Sequence, residues 1–142
     1  MPASEARAVE AVCAENATID ELRRALAVGE ITATGLVQAY AARIAAYDTA
    51  GPRLNAVREL NPDAAAIATR SNGTDPAHRR PLEGIPILIK DNIATADAQH
   101  TTAGSLALKG AQTKDDATVV KLLRQAGVVI LGKANLTEFA NI

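Results

Sequence analysis

The sequence predicts an α/β chain in which helices pack on an incomplete β-sheet, mixed or mostly parallel. Two short apolar runs, Ile85–Ile89 and Val128–Leu131, read as buried strands. Between them Asp115 and Asp116 open a helix with Val119, Val120, Leu123 and Ala126 on its apolar face, and Gly127 ends it, giving a strand–helix–strand unit. Runs that are apolar on both faces need cover from both sides, so helices are expected above and below the sheet. Two or three strands make a poor sheet alone, so the pattern also anticipates partner strands outside these residues.

The elements follow in order. Thr18-Ile-Asp-Glu21 has the form of a capping box and opens a helix whose Ile19, Leu22 and Leu26 share a face before Gly29 stops it. A second helix starts near Thr32 or Thr34 and runs to about Tyr47, with Val37, Tyr40, Ala41, Ile44 and Tyr47 at helical spacing, until Gly51-Pro52 breaks it. Leu54–Leu60 fits a short strand. Asn61-Pro62-Asp63 then supplies an N-cap, a proline suited to the first turn and an acid suited to the helix dipole, for a helix over 64–70. The polar stretch Ser71–Pro76 and the following His78–Pro81 read as a loop within one domain, because the preceding helices need the later strands to cover their apolar faces.

Composition narrows the function. The 142 residues carry 15 basic and 16 acidic side chains, so no electrostatic footprint for nucleic acid or for an anionic membrane is present. Aromatic residues make up 2%, which leaves no base-stacking platform. Cys13 is the sole cysteine, so no internal disulfide can form and a reducing, cytoplasmic setting is expected. His78 and His100 stand apart from any carboxylate pair at ligand spacing, and no metal is expected. The N-terminus lacks the apolar core of a secretory signal, and no segment is long enough to span a bilayer.

The chemistry-bearing residue is Lys90, which ends the apolar run Ile85-Pro-Ile-Leu-Ile89. A lysine in water is protonated at neutral pH and is no base, whereas withdrawal into an apolar setting lowers its pKa and leaves an amine able to take a proton. The alternative is a lysine that lays its stem over the strand and keeps its head in water. Downstream, Thr101-Thr102-Ala103-Gly104-Ser105 gathers small hydroxyl residues, and Thr101, Thr102, Gly104 and Ser105 are candidate pocket-lining residues. Ser105 also fits a helix N-cap over 105–109.

Several motifs in order carry a resemblance. Gly84-Ile-Pro-Ile-Leu-Ile-Lys90-Asp-Asn92, Thr101-Thr-Ala-Gly-Ser105, Asp116-Ala-Thr-Val-Val120, Leu123-Arg-Gln-Ala-Gly127 and Gly132-Lys-Ala-Asn135 with Glu138 resemble the amidase signature family in order and spacing. The likeness reaches back through Ala17-Thr-Ile-Asp-Glu-Leu22 and Leu54-Asn-Ala-Val57. It implies hydrolysis of carboxylic amides through an acyl-enzyme, without a cofactor, by a lysine, a serine next to a cis peptide bond and a nucleophilic serine. Lys90 takes the lysine's place. The two serines of the family lie in glycine-rich motifs further along, and neither motif occurs here, where the serines are Ser4, Ser71 and Ser105. Residues 1–16 are therefore read as a lead and 17–142 as the N-terminal part of one amidase domain, truncated before the serine motifs and inactive alone.

The implied partner is a small-molecule amide substrate in the complete enzyme, with self-association of the fragment through its uncovered strands. Two alternatives stand beside this reading: the glutaminase component of a transfer-RNA amidotransferase, and a non-catalytic interaction module. Gly127-Val-Val-Ile-Leu-Gly132-Lys133-Ala134 approaches a nucleotide-binding P-loop, but its middle is a buried strand, and Ala134 lacks the hydroxyl that would hold magnesium. Lys133 and Glu138 are read as structural, with Asn135 capping the next turn.

Overall fold

A computed structural model describes residues 16–140. The expected lead, with Ser4 and Cys13, lies outside the described residues apart from Asn16. Helix α1 (Ile19–Ala27) opens on the capping box: the Glu21 amide donates to Thr18 Oγ1 at 3.3 Å and the Thr18 amide donates to Glu21 Oε2 at 2.7 Å. Its buried face is Leu22, Ala25 and Leu26. Ile19, expected on that face, is 51% exposed, on the helix's first turn.

Helix α2 (Ala33–Arg43) is capped by Thr32, whose hydroxyl accepts from the Gly35 amide at 3.0 Å. It runs on as a wider π-helical turn over Ile44–Thr49, which the sequence periodicity does not distinguish from α-helix. That turn presents Asp48, whose buried carboxylate accepts from the amides of Ala56 at 2.6 Å and Val57 at 3.1 Å. The end of α2 is thereby tied to strand β1 (Val57–Leu60), which is shorter than the run expected from residue 54.

Helix α3 (Ala64–Asn72) has Asp63 at its N-cap position with no side-chain bond. Asn61 makes the capping bond expected of it, just ahead of the helix, and reaches further: its Oδ1 accepts from the Asp63 amide at 3.0 Å and its Nδ2 donates to Ile130 O at 2.9 Å. Strand β2 (Pro86–Lys90), helix α4 (Thr118–Ala126) and strand β3 (Val129–Ala134) form the expected strand–helix–strand unit. Asp115 and Asp116 do not cap α4, whose N-cap position is Ala117; Asp116 accepts instead from the Ala96 amide at 2.7 Å and Arg124 Nε at 3.0 Å. Of the expected face of α4, Val120 is buried and Val119 is 48% exposed. Gly127 ends the helix at φ 99°, and a Cβ there would come within 2.8 Å of Glu83 Cα.

The sheet is mixed, in the order β1-β3-β2, with β2 parallel and β1 antiparallel to β3. Alternation along β3 divides the interior. Val129 and Leu131 pack with α1, α2 and α3, whereas Val128 and Ile130 pack with Val120 of α4 and with Ile89. The register then slips: Ile87 faces Ile130 but Leu88 faces Gly132, so Leu131 is an extra residue in β3. One extra residue reverses the alternation, which puts Lys133 on the same side of the sheet as Ile130 and its own partner Ile89. Gly132 is obligatory at this bulge, since a Cβ there would collide with Glu59 O on β1.

Replacing Gly132 by alanine must push β1 away from β3, at a cost of about 1–3 kcal/mol. Thermal melting of the variant is expected to show a fall of several degrees, and an unchanged transition would contradict the close approach.

Candidate functional site

The site is built at the carboxyl ends of the parallel strands β2 and β3, where open α/β sheets place their ligands. Lys90 is the last residue of β2 and pairs in register with Ala134. Ile89 turns into the interior, so Lys90 projects from the opposite side, the side that carries Leu88. Its side chain is exposed in this chain. The apolar approach Ile87-Leu88-Ile89 thus does not by itself bury the amine, because β2 is an edge strand, with β3 as its one neighbour among the described residues.

Beside β2 runs an open apolar groove of about 630 Å³, lined by Tyr40, Ile44, Tyr47, Pro86, Leu88 and Leu131 among others. Pro86 and Leu88 are the two residues that precede Lys90 on its side of the strand.

The chain behind Lys90 is held rigidly. The Asp91 amide donates to Ala134 O at 3.0 Å, extending the β2–β3 ladder, and Asp91 O accepts from the Ala103 amide at 3.2 Å. The Asp91 carboxylate is completely buried. Its Oδ2 takes a short hydrogen bond from the Thr102 hydroxyl and lies 3.2 Å from Arg58 Nε, while Oδ1 accepts from the Thr102 amide at 3.3 Å. A buried carboxylate is tolerated when it is paired and hydrogen-bonded in this way.

The hydroxyl cluster is one compact turn against Asp91. Ala103 and Gly104 are both left-handed, at φ 50° and 72°, and a Cβ on Gly104 would press on Thr137 O at 3.0 Å. The Gly104 amide donates to Thr102 Oγ1 at 3.2 Å and the Ser105 amide to Thr102 O at 2.9 Å. Ser105 occupies the N-cap position of a 3₁₀ turn over Leu106–Leu108, without the side-chain bond expected of a cap. Thr101 accepts through its hydroxyl from Lys133 Nζ at 3.1 Å. Thr101, Thr102, Gly104 and Ser105 thus lie in one turn, and that turn is tied to the residue next to Lys90.

Lys133 is the buried amine. Its side chain is fully enclosed, and Nζ donates to Ile93 O at 2.7 Å as well as to Thr101. Burial pulls its pKa below the ordinary lysine value, against the opposing pull of Asp91, Asp97 and Glu59. The roles of Asp91 and Arg58 and the buried state of Lys133 escape sequence reading. The one local signal is a lysine that follows a continuous apolar run after the single residue Gly132. Among the described residues no three His, Cys, Asp or Glu side chains come together as metal ligands, and His100 pairs with Glu59 through Nδ1 at 2.9 Å. No helix among them is long and apolar enough to cross a membrane.

A lysine with a depressed folded pKa penalises the folded state while it stays charged. Between that depressed value and the unfolded value of about 10.4 the unfolded chain holds more protons, so stability rises with pH across this window. Urea unfolding of the wild type and of Lys133→Met is expected to show the difference moving in favour of the wild type as pH is raised toward 10. A difference independent of pH would contradict a desolvated Lys133.

Comparison with known proteins gives a consistent answer. The Amidase family profile matches residues 35–142. A Schizosaccharomyces pombe protein whose name assigns it to the amidases is 44% identical over 133 residues, covering 90% of this chain and 22% of its own length. The A component of the Chloroflexus aurantiacus glutamyl-tRNA(Gln) amidotransferase is 44% identical over 126 residues, covering 87% of this chain and 25% of its own. The native peptide amidase of Stenotrophomonas maltophilia superposes with a TM-score of 0.84 at 50% identity, over 89% of this chain and 26% of that one. The chain spans about a quarter of the length of these relatives. With more than half of its residues under the family profile, and with a mixed sheet and helices that superpose on a solved member, the chain belongs to the amidase family.

Proposed function

We propose that this chain carries the lysine-bearing part of an amidase active site, and that the complete protein hydrolyses carboxylic amides to an acid and ammonia or an amine. The observation that carries the reading is the position of Lys90, at the carboxyl end of a parallel strand, with its backbone neighbour pinned and its side chain exposed on an open edge. An edge of this kind accepts further strands, and their cover would desolvate the amine. Neutral Lys90 then draws a proton through a bridging serine from a nucleophilic serine, both supplied by sequence beyond these residues. The serine oxygen attacks the amide carbon, backbone amides hold the oxyanion, and the departing nitrogen takes back the proton before water releases the acid. No cofactor enters this sequence of steps. The reading includes a cytoplasmic location, in keeping with a single cysteine.

The likeness to the amidotransferase component supports a second reading, in which the amide is glutamine and the ammonia passes to a charged transfer RNA. Glutamine hydrolysis stimulated by glutamyl-tRNA separates the two.

In the complete protein, Lys90→Ala is expected to abolish acyl-enzyme formation while leaving the melting temperature nearly unchanged. Lys90→Arg is expected to fail equally, because a guanidinium stays protonated and cannot act as the base. Undiminished turnover by either variant would remove Lys90 from the mechanism.

The chain by itself is expected to release no ammonia from simple primary amides and to resist labelling by a serine-directed fluorophosphonate. Its uncovered groove, with Leu54, Tyr47 and Leu88 exposed, is expected to drive self-association on size exclusion with light scattering. Stoichiometric labelling at Ser105, or turnover lost in Ser105→Ala, would overturn the assignment of the missing serines.

A further inference from the structure

We infer that Asp91 is a positioning residue for Lys90, acting through a buried clasp with Arg58 and Thr102 that fixes the end of β2. The inference rests on the amidase reading of Lys90.

Every polar atom of Asp91 has a partner, and the partners come from separate parts of the chain. Its backbone is locked to Ala134 of β3 and to Ala103 of the hydroxyl turn, and its carboxylate to Arg58 of β1 and to Thr102. The residue on the other side of Lys90, Ile89, is buried. Lys90 is therefore held between two fixed neighbours, so the direction in which its Cα–Cβ bond points is set by the clasp and not by the long side chain itself.

Thr102 does more than pair with Asp91. Its hydroxyl oxygen also accepts from Arg58 Nε at 3.1 Å and from the Gly104 amide at 3.2 Å. One oxygen thus couples the strand end to the left-handed Ala103–Gly104 turn. Loss of that oxygen leaves a buried carboxylate short of a donor and an amide short of an acceptor, which frees the strand end to shift. A general base displaced by about 1 Å can lose on the order of 100-fold in rate.

The experiment uses the complete protein and steady-state amide hydrolysis. Thr102→Val keeps the shape and removes the hydroxyl, and is expected to lower kcat by about 100-fold with KM little changed. Thr102→Ser, which restores the oxygen, is expected to recover most of the rate. Arg58→Met, at a partly exposed position, is expected to reduce kcat in the same sense and gives a second reading should the valine variant fail to fold.

Wild-type kcat in Thr102→Val or in Arg58→Met, alongside an inactive Lys90→Ala, overturns the positioning role and leaves the amidase reading standing. Failure of Thr102→Ser to restore the rate also overturns it. An active Lys90→Ala variant overturns the amidase reading itself.

Discussion

Strand β3 is paired on both sides, and among the described residues each of the two outer strands is joined to the sheet through it alone. Its first residues are a continuous apolar run whose alternation feeds two separate cores, one under α1, α2 and α3 and the other under α4. Burying such a run on both faces is worth roughly 1.5–3 kcal/mol per large side chain, which makes β3 the natural anchor of the fold. The bulge at Leu131 then changes what the strand presents. Without that extra residue Lys133 would point into the apolar side beneath α2 and α3, where an ammonium is costly to bury.

The polar interior at the end of the sheet is a consequence of that reversal. Lys133, Glu59 and the loop of residues 91–105 meet on one side, and each of these charges has a partner. Lys133 holds Ile93 and Thr101, Glu59 holds His100, and Asp91 holds Thr102 and Arg58. These ties are costly to bury and strongly destabilising to break singly, a property suited to fixing a loop in one arrangement. Lys90 differs from these neighbours, since it turns toward the open groove side of the sheet.

Local rules were readable where the partner lies within a few residues. The Thr18–Glu21 box, the Thr32 cap, the stop at Gly127 and the two strands around α4 all follow from short-range chemistry, and the structure has them. Asp116 pairs with the Ala96 amide and Arg124 instead of capping α4, and Asn61 does two jobs, accepting from the Asp63 amide at the entry to α3 while donating to the distant Ile130. The π-helical turn at Ile44–Thr49 has the same apolar spacing as an α-helix and leaves no separate trace in the sequence. The family likeness pointed to Lys90 and the hydroxyl turn, yet the clasp of Arg58, Asp91 and Thr102 joins positions 58, 91 and 102 through tertiary contact. Nothing in their spacing announces that they meet.

On the proposed function, the fixed end of β2 presents Lys90 as the base of an amide-cleaving site. The decisive observation is a crystal structure of the complete protein with an amide-derived acyl group on its nucleophile. Lys90 Nζ is expected to be enclosed and about 2.6–3.2 Å from a serine hydroxyl that in turn contacts the nucleophile, with Asp91 still bound to Thr102 and Arg58. A Lys90 side chain turned to bulk solvent, with a different group beside the acylated residue, would contradict it.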